Sequence, residues 1–510
     1  MKKYVVTLKD IKDKEEFCDQ MNKSLSVSSK GFIPHRSCDC VVKMPTSRNT
    51  TYVLSEEEAT NLKNDTRIKS VELSFEHIPG LKVGPAIFRP NPEHEIVGLK
   101  SLKSNLQDNF VAQATGDKYA TISNVPNGID VDVVIVDDYV EANHPEFAKN
   151  PNGTGGSRVN RINWYVYDNE VLGYVSGNVY DYTINNTESH GTHTAGTTAG
   201  NTQGWAKKAN IYHIRYPSTS SEPWAQYIRA FHNNKSPKSN GIKNPTVVNN
   251  SWVFSMDLKD QSINNIVRVS YRGVITNKPA GGWDAYNDLF SRGILSLVNG
   301  NLFVYSQSLS SVNADVDDMV NDGIIVVASS GNNYANCDIS SGLDYNNYFV
   351  IDYNGSSLNR FTVYYNQGNS PAASDSAISV GSIKSLKIGG LEYKTEYSNC
   401  GPSVDVYAPG DAIMSSVLIT EPNCVADSRN SGYGLAKFTG TSMAGPQVAG
   451  VLACVASTNP SLNQAAAKSY ISTNAKNTIA DTGGGPDDVQ SLQGSPNKYL
   501  YYAGASVTYP

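Results

Sequence analysis

The sequence predicts an α/β fold: a doubly wound parallel sheet with helices on both faces, preceded by a small α+β unit. Three observations carry this. Apolar runs of strand length recur at 131–137, 210–216, 246–250, 323–328, 377–381 and 404–407, and they are nearly continuous, as in strands buried on both faces. Helix-like stretches lie between or after them, at 225–231, 314–321 and 462–472. Strands alternating with helices are the pattern of a parallel sheet with crossover helices.

Taken in order, residues 1–85 read as a separate domain. Residues 3–8 are strand-like, 12–21 form a charged helix, 51–54 a second strand, and 69–75 a third. Ser55 followed by Glu58 is a capping box that opens a helix between the last two strands. The order suggests a small ferredoxin-like unit. Residues 78–92 are rich in Pro and Gly and mark a linker, so that 86–104 separates the first domain from a second over 105–510. Three stretches of the second domain, near 150–186, 256–312 and 338–373, are polar and rich in Tyr, Asn, Ser and Gly. They read as irregular insertions on the frame.

Composition narrows the function. With 510 residues and a formal net charge of −6 there is room for a large core and no basic footprint, so nucleic acid is not an expected partner. Seven cysteines are too few for a disulfide-built scaffold, and Cys38 and Cys40 lack the second pair that a zinc site needs. The run Tyr4 to Leu8 is shorter than a signal-peptide core, and no segment is long enough to span a bilayer. The expectation is a cytoplasmic or virion-associated protein, with secretion by another route left open, monomeric and without a membrane partner.

The chemistry lies in three blocks. Val136-Asp137-Asp138 ends the first apolar run, where open α/β sheets present their ligand sites. His190-Gly191-Thr192-His193 opens a run of small residues. Gly440-Thr441-Ser442-Met443-Ala444 leads into the apolar stretch that contains Val448, Val451, Leu452 and Val455. A serine at the mouth of a helix faces unpaired N–H groups suited to a developing oxyanion. It needs an imidazole to take its proton and a carboxylate to orient that imidazole. Asp137, His190 and Ser442 supply the three roles in the order Asp, His, Ser. Asp138 competes with Asp137 for the acidic role. His193, four residues after His190, has no adjacent glutamate of the zinc-protease kind and reads as a packed histidine. Asp315, Asp317, Asp318 and Asp322 read as the solvated face of a helix.

These blocks resemble those of the subtilisin-like serine proteases, and Gly204-Trp205-Ala206 is closer to the proteinase K branch. The resemblance implies a serine endopeptidase acting through an acyl-enzyme, with protein or peptide substrates bound as extended strands. By the spacing to His144-Pro145 it implies that Asp137, not Asp138, takes the acidic role. It implies that Asn332, in Ser329-Ser330-Gly331-Asn332, joins the Ser442 N–H in an oxyanion hole. It further implies that Val247 to Trp252 contains the strand whose edge pairs with substrate, so that Ser251, Trp252 and Val253 are substrate-binding residues. Residues 1–85 then correspond to an inhibitory prodomain, with a late strand around Val71-Glu72 and a self-processing site at or near the linker. No cofactor is required and no metal site is assigned. Glu146 aligns with a calcium ligand of the family, but one carboxylate falls short of the six to eight oxygens that calcium takes, so structural calcium cannot be placed. Tyr139 stands where the family has glycine, Val253-Phe254 where it has a glycine pair, and Gln447 where it has histidine. The competing expectation is a catalytically silent relative that binds peptides or serves as a structural part.

Overall fold

The computed structural model describes residues 1–26, 31–86, 121–123, 126–178, 187–388, 391–484, 488, 490–502 and 506–508. Most of the expected linker at 86–104 lies outside them.

The first unit is a four-stranded antiparallel sheet in the order β2 (Cys40–Lys43), β3 (Asn49–Leu54), β1 (Lys2–Leu8), β4 (Ile68–Leu73). Helices α1 (Lys14–Asn22) and α2 (Glu56–Leu62) carry Phe17, Met21, Ala59 and Leu62 into a core with Val6, Leu8, Tyr52 and Leu54. The expected capping box is present: Ser55 Oγ accepts from Glu58 N, and the Glu58 carboxylate accepts from Ser55 N. After β4 the chain runs on as β5 (Leu81–Pro85), which leaves this sheet and joins the larger domain.

That domain is built on a seven-stranded sheet. The strands and helices that frame the site, in that sheet and beside it, are in chain order β6 (Asp132–Asp137), α3 (His190–Ala199), β7 (Asn210–Arg215), α4 (Trp224–Asn234), β8 (Thr246–Asn250), β9 (Trp252–Asp257), β10 (Val304–Ser306), α5 (Ser310–Asn321), β11 (Ile325–Ser329), β12 (Ile378–Ile388), β13 (Leu391–Lys394), β14 (Val406–Pro409), α6 (Thr441–Thr458) and α7 (Gln464–Asn474). The sheet order is β13-β12-β11-β8-β6-β7, with β14 also on β12; all pairs are parallel except β12 with β13. Alternation sends Val133 and Ile135 to one face, with Ala195 of α3 and Val448, Val451 and Leu452 of α6. Val134 and Val136 go to the other, with Ile228 and Phe231 of α4 and Val316 and Met319 of α5. Helices thus cover both faces, as expected.

Two expectations are corrected. The stretches near 256–312 and 338–373 are not irregular throughout: Ile266–Tyr271, Val274–Asn277, Tyr348–Asp352 and Arg360–Tyr364 form a four-stranded antiparallel sheet. It has its own core of Leu258, Ile266, Trp283, Leu289, Tyr305, Phe349 and Val363. The acidic face of α5 is not left to solvent. Arg48 pairs with Asp318 at 2.9 Å and Lys69 with Asp317 at 3.0 Å, while Asn49 Nδ2 donates to Asp315 at 3.1 Å. Burial pushes the Asp315 carboxyl up to about 7. The Glu72 carboxylate accepts from Ser310 N at 3.0 Å and Ser311 N at 2.8 Å, the free donors that open α5.

Candidate active site

Asp137 ends β6 and His190 begins α3, so the strand and the helix bring a carboxylate and an imidazole together from 53 residues apart. His190 Nδ1 and Asp137 Oδ1 are 2.7 Å apart, and both side chains are buried. Asp137 Oδ2 accepts from Thr194 Oγ1 at 3.0 Å, one turn along α3, and Oδ1 from Asp138 N at 2.9 Å. The carboxylate is therefore fixed from both sides. Gly191 is the reason the helix can begin so close: a Cβ there would lie 2.4 Å from Tyr139 O and 2.9 Å from Asp137 Cβ.

Asp138, the competitor for the acidic role, points elsewhere. Its Oδ1 accepts from Gly191 N at 2.7 Å and Tyr139 N at 2.5 Å, so it caps the first turn of the helix that carries His190. Burial, and then the charge of Asp137, push its carboxyl up to about 7. Asp137, Asp138 and His190 are the one group among the described residues whose spacing could hold a metal ion, and these hydrogen bonds already engage them. Tyr139 takes no positive φ, so the loss of the family glycine is accommodated; its hydroxyl donates to Glu141 Oε2 at 3.0 Å. His193 is fully buried, stacks on Phe438 with ring centroids 4.4 Å apart, and burial pulls its pKa down to about 3. It is the packed histidine expected.

Ser442 is the second residue of α6. Its Oγ donates to Ser251 O at 2.8 Å, and Ser251 Oγ donates to Ser442 O at 2.9 Å. The second bond has a local cause: Pro446 has no N–H to offer the carbonyl four residues back, and the Ser251 hydroxyl fills that place. Gln447 accepts from Trp205 Nε1 at 2.7 Å, tying α6 to the loop after α3. Asn332 follows β11, and its Oδ1 accepts from Thr441 N at 3.0 Å and Thr441 Oγ1 at 2.9 Å. This fixes which way the amide faces, and its Nδ2 is turned toward the cleft.

What Nδ2 meets there is Ala86. The Ala86 carbonyl accepts from Asn332 Nδ2 at 2.5 Å and Ser442 N at 3.1 Å, while Ala86 N donates to Ser251 O at 2.9 Å. Behind it β5 runs antiparallel to β9, with Pro85 opposite Trp252, Gly84 opposite Val253 and Val83 opposite Phe254. The pairing edge is therefore Ser251 and the strand after it. β8, within the stretch expected to hold that edge, is interior to the sheet between β6 and β11. Ala86 was not singled out from the sequence; an alanine in a Pro- and Gly-rich stretch carries no local signal, and only the linker around it pointed there.

Glu146, the expected calcium-family carboxylate, accepts from Thr202 N at 2.9 Å and Gln203 N at 3.2 Å and forms an ion pair with Arg429. A guanidinium thus already supplies positive charge to this carboxylate.

A profile of the subtilase (peptidase S8) family matches residues 128–495. The chain belongs to the subtilase family. It is 25% identical over 325 residues to a subtilisin-like protease of Coccidioides posadasii, a stretch that is 64% of this chain and 55% of that one. It is 24% identical over 411 residues to subtilisin-like protease 3 of Trichophyton tonsurans, covering 80% of this chain and 70% of that one. Among solved structures it is similar to fervidolysin from Fervidobacterium pennivorans, a keratinolytic enzyme related to subtilisin, with 17% identity, a TM-score of 0.47, and coverage of 97% of this chain and 60% of that one. The fungal relatives correct the expected compartment: they are subtilisin-like proteases and give no support to a cytoplasmic or virion-associated protein. That expectation rested on the short apolar run after Met1, and where a sequence begins fixes no compartment. Among the described residues no helix is long and apolar enough to cross a membrane.

Proposed function

We propose that this subtilase is a serine endopeptidase, and that it cuts its own chain after Ala86. The observation that carries the reading is the Ala86 carbonyl, which receives two convergent donors, Asn332 Nδ2 and Ser442 N, at the end of a strand paired with β9. Two donors on one carbonyl oxygen are suited to stabilise it as it becomes an oxyanion.

The Ser442 hydroxyl turns from Ser251 O toward His190, loses its proton to Nε2, and its oxygen bonds to the Ala86 carbonyl carbon. Asp137 holds the imidazole by Nδ1 and stabilises its cationic form. As the tetrahedral centre collapses, the bond to the next residue breaks and its nitrogen takes the proton from His190. Water then repeats the sequence on the acyl-enzyme, with His190 as base and then acid. A side-chain donor such as Asn332 is worth about 2.7–4 kcal/mol of transition-state stabilisation, a figure known from subtilisin itself. The reaction so drawn uses only groups of this chain and water. Residues 1–86 act as an inhibitor that fills the cleft until it is released, and substrates in trans are extended protein segments that take the place of β5.

The test compares the intact masses of wild type and Ser442→Ala after identical expression. The wild type should separate into a fragment ending at Ala86 and the remainder, while Ser442→Ala stays whole. Two whole chains, with no peptide hydrolysis by the wild type, would overturn the reading in favour of a silent peptide-binding relative. Equal trimming of both would assign the cut to another protease.

A further inference from the structure

The cleft does not stop where the catalytic frame stops. β9 continues to Asp257, and its register with β5 holds through Ser255 opposite Lys82 and Met256 opposite Leu81; Asp257 N then donates to Gly80 O at 2.8 Å. The far edge of β9 is held by β10, which comes from the inserted region, with Met256 opposite Tyr305 and Asp257 opposite Val304. Without β10 this outer half of β9 would have no second neighbour. Counting back from the bond after Ala86, Val83 is the fourth residue and Leu81 the sixth.

Alternation along β5 puts Leu81, Val83 and Pro85 on one face and leaves Lys82 exposed. Val83 packs on the core that holds Trp252 and Phe254, in the frame. Leu81 also packs on the separate core of the inserted sheet, where Met256, Leu258 and Tyr305 are buried. At the seventh position the course changes. Gly80 has φ +76°, and a Cβ there would lie 2.9 Å from Asp257 O and 3.3 Å from Leu258 Cδ2. The sixth residue is thus the last in the extended register with β9 before the course changes.

We propose that the inserted region builds a sixth substrate subsite, an apolar seat beside Met256 that takes an aliphatic side chain six residues before the cut bond. The proposal rests on the peptidase reading for the identity of that bond. It specifies a substrate class: extended segments with aliphatic residues at the fourth and sixth positions and no demand at the fifth, where the side chain faces solvent.

The test has two arms. In the first, protein produced from the full chain is offered quenched-fluorescent peptides copying residues 80–90, a version with Leu81→Asp, one with Lys82→Asp, and one beginning at Val83. The Leu81→Asp and shortened peptides should lose about tenfold or more in kcat/KM, as removal of an apolar group from its pocket does. Lys82→Asp should change it by less than about threefold, the size of a solvent-screened charge effect. Equal kcat/KM for the parent, Leu81→Asp and shortened peptides would overturn the subsite. The second arm needs no catalysis. In full-length Ser442→Ala, adding Leu81→Asp should speed hydrogen exchange of the 81–85 amides by about tenfold or more, because the docked strand opens more often. Unchanged exchange would overturn the subsite. If no peptide is cut but the strand is still released, the seat stands and the peptidase reading fails.

Discussion

Two of the contacts by which the first unit holds the catalytic domain differ in kind. At the cleft, β5 and Ala86 make backbone bonds to β9, Ser251 and the Ser442 N–H, with aliphatic side chains against two apolar cores. Any extended chain with suitable side chains could make the same contacts. On α5, by contrast, Glu72 meets the first N–H groups, Arg48 and Lys69 meet Asp318 and Asp317, and Asn49 bridges Ser311 O and Asp315. These pairs are particular to the two surfaces. The difference teaches that the first contact is one another extended chain can replace, whereas the second addresses this unit to this domain. If the chain is cut after Ala86 as proposed, the second contact is expected to delay release.

The largest effect that separates the two places comes from Asn332→Ala. Losing the side-chain donor should slow cleavage after Ala86 and hydrolysis of peptides in trans by about 10²–10³-fold, as for the corresponding donor in subtilisin. The α5 contacts should be untouched, so the uncut chain accumulates with its first unit still docked. Time-resolved intact mass and hydrogen exchange over β4 would check both halves. Cleavage at the wild-type rate would mean that the Ala86 carbonyl is not held for chemistry, and the cleft contact would become merely structural.

The contrast also tracks what could be read in the chain. The frame and the elements that carry Asp137, His190 and Ser442 were legible because buried parallel strands are continuous apolar runs, and because each of these residues sits at an element boundary that the local pattern marks. The inserted sheet was not legible. Its strands Ile266–Tyr271 and Tyr348–Asp352 pair across some eighty residues of Asn-, Ser- and Gly-rich chain, and short strands of mixed polarity acquire a face only when the partner is known. The same reason hid the α5 contact. Asp315, Asp317 and Asp318 have the composition of a solvated face, and the residues that cover them lie some 250 to 270 positions earlier. Glu72 did fall in the strand that the family pattern singled out, but its target could not be read from the strand.

Next in size is the cap on α5. Glu72→Ala should weaken docking of the first unit by about 0.5–2 kcal/mol, the usual cost of losing a helix N-terminal cap. This would be read as faster recovery of peptidase activity after self-cleavage. Glu72→Gln sharpens the point. Enclosure against α5 holds the Glu72 carboxyl above its ordinary value of 4.5, more than its donors Ser310 N, Ser311 N and Ser311 Oγ pull it down. The docked unit therefore binds the proton more tightly than the free one. The sign follows: the part of docking linked to that proton is complete below the free value and is lost as pH rises through the raised one, so docking weakens upward from about pH 4.5. Glu72→Gln, which can still accept from an N–H, should remove that slope. A slope that survives in Glu72→Gln would place the pH dependence elsewhere on the interface.

The smallest effects belong to the ion pairs, and they should not be equal. Arg48 and Asp318 are each 11% exposed, whereas Lys69 is 39% exposed and Asp317 25%. Exposed pairs contribute about 0.2–1 kcal/mol and are screened by salt. Lys69→Ala should therefore change the release rate little, and its effect should vanish between about 0.05 and 0.5 M salt. Arg48→Ala should cost more and keep part of its effect at high salt, because it uncovers Asp318 within the interface and leaves Arg229, 3.8 Å from the same carboxylate, as its remaining cation there. Equal, fully screened effects would mean that this face steers the two units together but does not hold them. The delay before release would then rest on Glu72 and on the strand in the cleft.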